Sequence, residues 1–453
     1  MNAAEYLRSS PTPVIIREPQ QEAFLHGDRE QIVRLRSVMQ TSVEVLLREV
    51  IITDQGLTLL PASRNGLAHS QESGGYENVW TRDNMITAAI LTDPQVLANL
   101  PEGVRQQAER LGYSLALSFL DIYARPGNRE LFDQEIRITQ NSAGYPVTQL
   151  TREAPPVHFD RNGNRRNPWN HNQPDSFGEL LVVVARGLQR GGLVEQELLA
   201  RRDTIEAITN YLIRIQPSIF ESSAMWEMDP VGNPSSTSTV SAIITGLEAM
   251  LPVAEKVGNI SQTNIEETIN TGNKFLVGEF PRDYTSREGH FSTEDLGTLV
   301  VMSCLDGMTN LDFMAWFDKA NQSLGNTTPG EGMMPGKLRF IGDGYDPIFW
   351  QANPAYWFMA LPAEAIEFAK LAQRAYRAGN QEAGMYYEQQ VMGRLDKANS
   401  IYEEAGGYYP EMFVWNKQMQ ELVRHRNALL WNEALMTRAA AFAIQTIQAR
   451  VAA

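Results

Sequence analysis

The chain has 453 residues, 43% of them apolar, which is enough to bury one large core or two average ones. Its formal charge of −15, with no basic cluster to offset it, excludes nucleic acid and anionic lipid as natural partners and leaves neutral or cationic molecules or other proteins. A single cysteine, Cys304, excludes an internal disulfide framework and a cysteine-rich metal site.

The N-terminus, MNAAEYLRSSPTPVIIREPQ, lacks a basic stretch followed by an apolar one and does not read as a secretory signal. No apolar run reads as long enough to span a membrane, so the expectation is a cytoplasmic protein. Residues 1–30 are polar, with prolines at 11, 13 and 19, and read as an N-terminal arm. Helical periodicity takes over from residue 31: QIVRLRSVMQTSVEVLLREVI spaces its apolar residues three and four apart. Similar stretches begin near residues 83, 101, 175, 195, 235, 262, 293, 309, 354, 380 and 426. Strand candidates are few; QGLTLLPAS and GYYPEMFVW are the best, as short hairpins. The largest connection, residues 126–174, reads as a long irregular loop of the kind that carries function. No linker divides residues 31–453. About twelve helices in six antiparallel pairs close economically into an all-α double-ring barrel, an (α/α)6 toroid whose loops line a pit at one end.

Several loops combine an aromatic residue with a carboxylate. VWTRDN carries Trp80, Arg82 and Asp83; PWNHNQPDSFGEL carries Trp169, Gln173 and Asp175; SAMWEMD carries Trp226, Glu227 and Asp229; GGYYPEMFVWN places Glu411 between Tyr409 and Trp415; RFIGDGYDPIFWQANPAYW adds Arg339. This composition suits a sugar. The apolar face of a pyranose packs on an indole, and its hydroxyl rim accepts hydrogen bonds from Arg and donates them to Asp. Cleaving a glycosidic bond calls for one protonated and one ionised carboxyl group, and a carboxyl beside Trp226 would be raised toward the acid role by desolvation. Plainer readings exist: Arg82 and Asp83 as a helix-start pair, Asp175 as an N-cap, Glu411 as a surface residue of a hairpin. Trp316, at helical spacing in LDFMAWFDKA, reads as core. The six histidines show no metal-binding spacing, and no nucleotide-binding loop or serine-nucleophile elbow is present, so no metal or cofactor is expected.

With these motifs in this order, the sequence resembles glycoside hydrolase family 15, the glucoamylase-like enzymes, and the related N-terminal domains of phosphorylase kinase α and β subunits. WTRDN at 80–84 is similar to the family motif that grips the terminal glucose, and WNHNQPDSFG at 169–178 to its Gln-x-Asp-x-x-Gly region. MWEMD at 225–229 resembles the block holding the general acid, and YYPEM at 408–412 lies where the base belongs. NPAYWFMALPAEAIEFA and ALLWNEALMTRAAAFA resemble later barrel helices. The resemblance spans about residues 40 to 445 and departs from the family at Met228, where a second Glu often follows the acid. It implies an (α/α)6 barrel and an inverting, exo-acting hydrolase that releases glucose from a soluble α-linked oligosaccharide. In that scheme Glu227 is the acid and Glu411 the base. Trp80, Arg82, Asp83, Trp169, Asp175, Trp226 and Arg339 bind substrate. The alternative expectation is an oligosaccharide-sensing regulatory barrel. Linkage preference and oligomeric state are not set by these motifs.

Overall fold

The computed structural model describes residues 18–64, 78–140, 144, 146–166, 171–223, 236–279, 296–305, 313–330, 332–338, 355–416, 421–424 and 428–453, and the side chains of all of these except 18–26, 279, 414–416 and 421–424. Twelve principal helices run through the described residues. They are α1 (Glu18–Arg48), α2 (Thr81–Leu91), α3 (Glu102–Ala124), α4 (Asp175–Arg190), α5 (Arg202–Arg214), α6 (Thr237–Met250), α7 (Gln262–Glu279), α8 (Leu296–Leu305), α9 (Phe313–Ser323), α10 (Ala360–Arg377), α11 (Gln381–Glu404) and α12 (Leu430–Ala452).

The even-numbered helices pack on one another in order, α2 on α4, α4 on α6, and so on to α12, which returns to α2 and closes a ring. The odd-numbered helices lie outside: α1 against α12, α3 against α2 and α4, α7 against α6, α11 against α10 and α12. Phe313 and Phe317 of α9 meet Phe368 of α10 edge-on, which seats α9 on the same wall. This is an all-α (α/α)6 toroid, and it follows from the side chains. Every residue of α8, LGTLVVMSCL, is buried, as expected of a helix apolar on all faces. The outer α3 exposes residues only in its N-terminal half and at Ala124, and is buried or half-buried from Leu111 to Tyr123. The stretch 237–257 is long and apolar enough to cross a membrane by length and composition, contrary to the sequence reading; it is mostly buried inside the protein, as part of the inner ring.

Two glycines let the inner ring close tightly. A Cβ on Gly178 of α4 would lie 2.3 Å from the Ala242 carbonyl oxygen of α6, and one on Gly246 would lie 2.3 Å from the Gly178 carbonyl oxygen. At the far end of the ring, the buried Arg438 of α12 donates Nε to the Ser303 carbonyl of α8 at 2.6 Å and pairs with Asp93, just past the end of α2.

Each inner helix is followed by a returning outer one, so all the inner helices point the same way and their N-termini collect at one end. The short strands gather there too. β3 (Val79–Trp80) pairs with β6 (His158–Phe159) at the entrance to α2. β7 (Ala355–Trp357), leading into α10, pairs with β8 (Met412–Asn416), which pairs with β9 (Glu421–Arg424) ahead of α12. The hairpins expected at 55–63 and 407–415 are present, as β1 (Ile51–Ile52) with β2 (Thr58–Leu59) and as β8 with β9.

Two expectations need correction. Residues 18–30, read as part of the arm, belong to α1. The stretch 126–174 is not an irregular loop throughout. It holds a short helix, Pro126–Phe132, and an antiparallel hairpin of β4 (Ile136–Gln140) and β5 (Pro146–Leu150). IRITQ and PVTQL are each rich in β-branched residues, and the turn between them uses Gly144 at φ +82°, a conformation glycine adopts without strain.

Gly246→Ala is expected to destabilise the fold by about 1–3 kcal/mol or more, because backbone rather than a mobile side chain must yield. Urea denaturation measures this; an unchanged midpoint would show that the α4–α6 contact has slack.

Candidate active site

Trp80 is the last residue of β3 and the N-cap of α2, with an extended backbone at φ −112° and ψ 134°. Its ring stacks on His158, its partner across the strand pair, with centroids 4.0 Å apart and planes 14° from parallel. Burial, with smaller contributions from His171 and Arg166, holds His158 down at about 4, so at neutral pH it is an uncharged ring. Burial likewise holds His171 at about 4.

Arg82 follows one residue into α2 and is buried. Its Nε donates to Asp175 Oδ2 at 2.7 Å, and its Nη2 donates to Gln173 Oε1 at 2.7 Å. Asp175 is the first residue of α4, after Pro174 at the cap position, and makes no capping hydrogen bond. The N-cap reading of Asp175 is therefore set aside: its carboxylate reaches across to Arg82 and ties together the N-termini of the first two inner helices. Gln173, unassigned in the sequence reading, is the second acceptor of that guanidinium.

Asp83 keeps part of its surface open to solvent. Burial pushes its carboxyl up to about 7; the Glu411 carboxylate pushes the same way, and Arg82 opposes. Asp83 and Glu411 are thus near enough to repel one another. Glu411 lies between Pro410 and β8, and its carbonyl accepts from the Phe358 amide at 3.1 Å. It is only 3% exposed, so the surface-hairpin reading of Glu411 does not hold. Trp316 is core, as expected. Trp169, Trp226, Glu227 and Arg339 lie outside the described residues.

Sequence reasoning missed Glu179. It sits one turn after Asp175 on α4, completely buried, and neither carboxyl oxygen has a hydrogen-bond partner. Burial drives it well above the usual carboxylate range; Asp175 and Asp83 add to the rise and Arg82 opposes it. The available signal was the i, i+4 spacing of Asp175 and Glu179, which puts both on one helix face. No group of three or more His, Cys, Asp or Glu placed to hold a metal ion occurs among the described residues.

No protein-family model matches the chain. No curated protein matches it in sequence. Solved structures do share its fold. A glycosidase variant with one glutamate replaced by alanine is 16% identical, with 92% of this chain and 98% of that one covered and a TM-score of 0.58. A glycosidase variant with a different glutamate replaced by alanine, in complex with glucose, is 17% identical over the same shares, with a TM-score of 0.55. A metal-independent α-mannosidase of Streptococcus pneumoniae, in a non-productive complex with α-1,6-mannobiose, is 10% identical, with 95% and 100% covered and a TM-score of 0.50. At these identities the likeness is one of fold.

The buried carboxyls make stability depend on pH. Glu179 binds its proton more tightly folded than unfolded. The stability this proton contributes is complete below the ordinary value of 4.5 and is lost as pH rises through the folded value. Glu179→Gln should therefore melt at a similar temperature to the parent in acid and progressively above it as pH rises. Melting curves across that range test this; a constant difference would show that Glu179 does not titrate between the folded and unfolded states.

Proposed function

We propose that this protein is a glycoside hydrolase of the glucoamylase-like type, acting by inversion on the non-reducing end of an α-linked glucosaccharide. The observation that carries this reading is the placing of half-buried Asp83 and buried Glu411 at the end of the ring where the inner helices begin, with Trp80 and Arg82. Carboxyl groups gathered next to an aromatic ring and a guanidinium suit the hydroxyl rim and apolar face of a sugar, and acetal hydrolysis draws its acid and base from such groups. The shared fold with glycosidases supports the reading, as does the glucose complex of one of them.

In this scheme Glu227 protonates the glycosidic oxygen as the bond to the anomeric carbon breaks. Glu411 takes a proton from the water that attacks that carbon from the opposite face. A separation of roughly 6.5–9.5 Å between the two carboxyls leaves room for this water and sets the inverted product. Trp80, Trp169 and Trp226 line the pit, Arg82, Asp83 and Arg339 hold sugar hydroxyls, and Asp175 acts by fixing Arg82. With His158 and His171 uncharged and the neighbouring groups carboxylic, the site suits a neutral sugar.

The test is glucose release from maltose, maltotriose, isomaltose, panose and trehalose, with α-1,6-mannobiose as a competitor class, following the first-formed anomer by NMR. β-Glucose as first product supports the proposal; α-glucose overturns inversion. Binding of maltooligosaccharide without any cleavage would favour the sensing barrel instead. Glu227→Gln and Glu411→Gln should each lose at least about a hundredfold in turnover. Either variant turning over at the parent rate would remove that residue from its role.

A further inference from the structure

Glu411 stands one residue before the β8 ladder begins, where Met412 pairs with Trp357. Its own carbonyl is held by the Phe358 amide, so the direction of its side chain depends on what fixes the chain on the N-terminal side. That neighbour is Pro410, which has no amide hydrogen to give. Its carbonyl is the remaining main-chain handle, and a side chain takes it: Asn432, fully buried in the first turn of α12, donates Nδ2 to the Pro410 carbonyl at 2.9 Å. The next helical residue, Glu433, accepts from the Ser42 hydroxyl of α1 at 2.8 Å, beside the Tyr409 phenol. The Tyr409 ring stacks on Phe358, centroids 5.1 Å apart. An inner-helix residue, Asn432, thus holds the residue leading into Glu411, with Glu433 and Ser42 anchored beside it.

We infer that Asn432 is a positioning residue for Glu411, setting its orientation through the Pro410 carbonyl; this rests on the reading of Glu411 as the base. Without the amide, the Pro410 carbonyl is left buried and unpaired, and the 410–411 peptide is free to turn and carry the Glu411 carboxylate off line. The groups proposed to grip the sugar belong to other segments and keep their geometry, so the loss falls on turnover and not on binding.

The experiment is a kcat and KM comparison of Asn432→Ala and Asn432→Asp with the parent, on whichever substrate of the panel is cleaved, from about pH 5 to about pH 8. Asn432→Ala should lower kcat about tenfold to a hundredfold with KM little changed, the scale of a small misplacement of a reacting group. Asn432→Asp has the right shape, but donates to the Pro410 carbonyl only while protonated. Its kcat relative to the parent should approach one in acid and fall as pH rises. Taking the ratio at each pH removes the titration of the groups around the clamp, which are Glu411, Glu433, Tyr402 and Tyr409, with Arg48 and Arg64 on the Glu433 side. A purely structural role would lower melting temperature without that pH-dependent ratio. Parent-like kcat in both variants, or a loss confined to KM, overturns the inference; if Asn432→Ala fails to fold, the Asn432→Asp ratio decides alone. Glu411→Gln, measured in parallel, separates the two ideas. If it is inactive while the Asn432 variants are normal, only the positioning role falls. If it is active, the assignment of Glu411 falls and the positioning role with it.

Discussion

The ring of inner helices can exist only if each is buried on all sides at once. That constraint demands glycine where α4 and α6 meet backbone to backbone, and partners for the charged groups buried in the helix walls, as Glu364 of α10 finds in Lys337 and Arg394. One end is plugged by Arg438, which satisfies a carbonyl of α8 and pairs with Asp93 beyond α2. The other end gathers the N-termini and the strands, and the polar residues of α2, α4 and the α12 entrance collect there.

Electrostatics at that end follow from the crowding. Helix N-termini favour negative charge, yet Asp83, Asp175, Glu179 and Glu411 are too many for full ionisation in a buried space. Arg82 is the cation that opposes the rise at both Asp83 and Glu179, and its short contact is to Asp175. The remaining carboxyls settle by holding protons: Glu179, enclosed and unpartnered, most firmly, and Asp83, partly open, nearer neutrality. The rise at Asp83 and Glu179 therefore comes from burial, with Arg82 opposing it.

Helical periodicity was legible because burying one stripe or a whole surface leaves a regular mark on the residues. The starts expected near 83, 101, 175, 262 and 380 fall within two residues of observed helix starts. Helix α1 begins at Glu18, within the stretch read as arm, where polar composition and prolines left no apolar stripe to mark it. The β4–β5 hairpin was lost inside a stretch that also contains prolines, asparagines and arginines, where local composition outweighed the alternation of two five-residue strands. Trp80, Arg82 and Asp83 stood out by their proximity along the chain. Glu179 did not, since a glutamate within an apolar helix looks the same in sequence whether it snorkels to solvent or is sealed in.

The sequence by itself determined the helices, their order and the loops in which aromatic and carboxylic residues occur together, because spacing and composition are local properties. Only the tertiary structure decided that Asp175 pairs with Arg82 instead of capping its own helix, that Glu411 is interior, and that Asp83 and Glu411 repel one another. Those facts depend on desolvation and on charges brought together from opposite ends of the chain, and neither exists until α12 has closed the ring against α2.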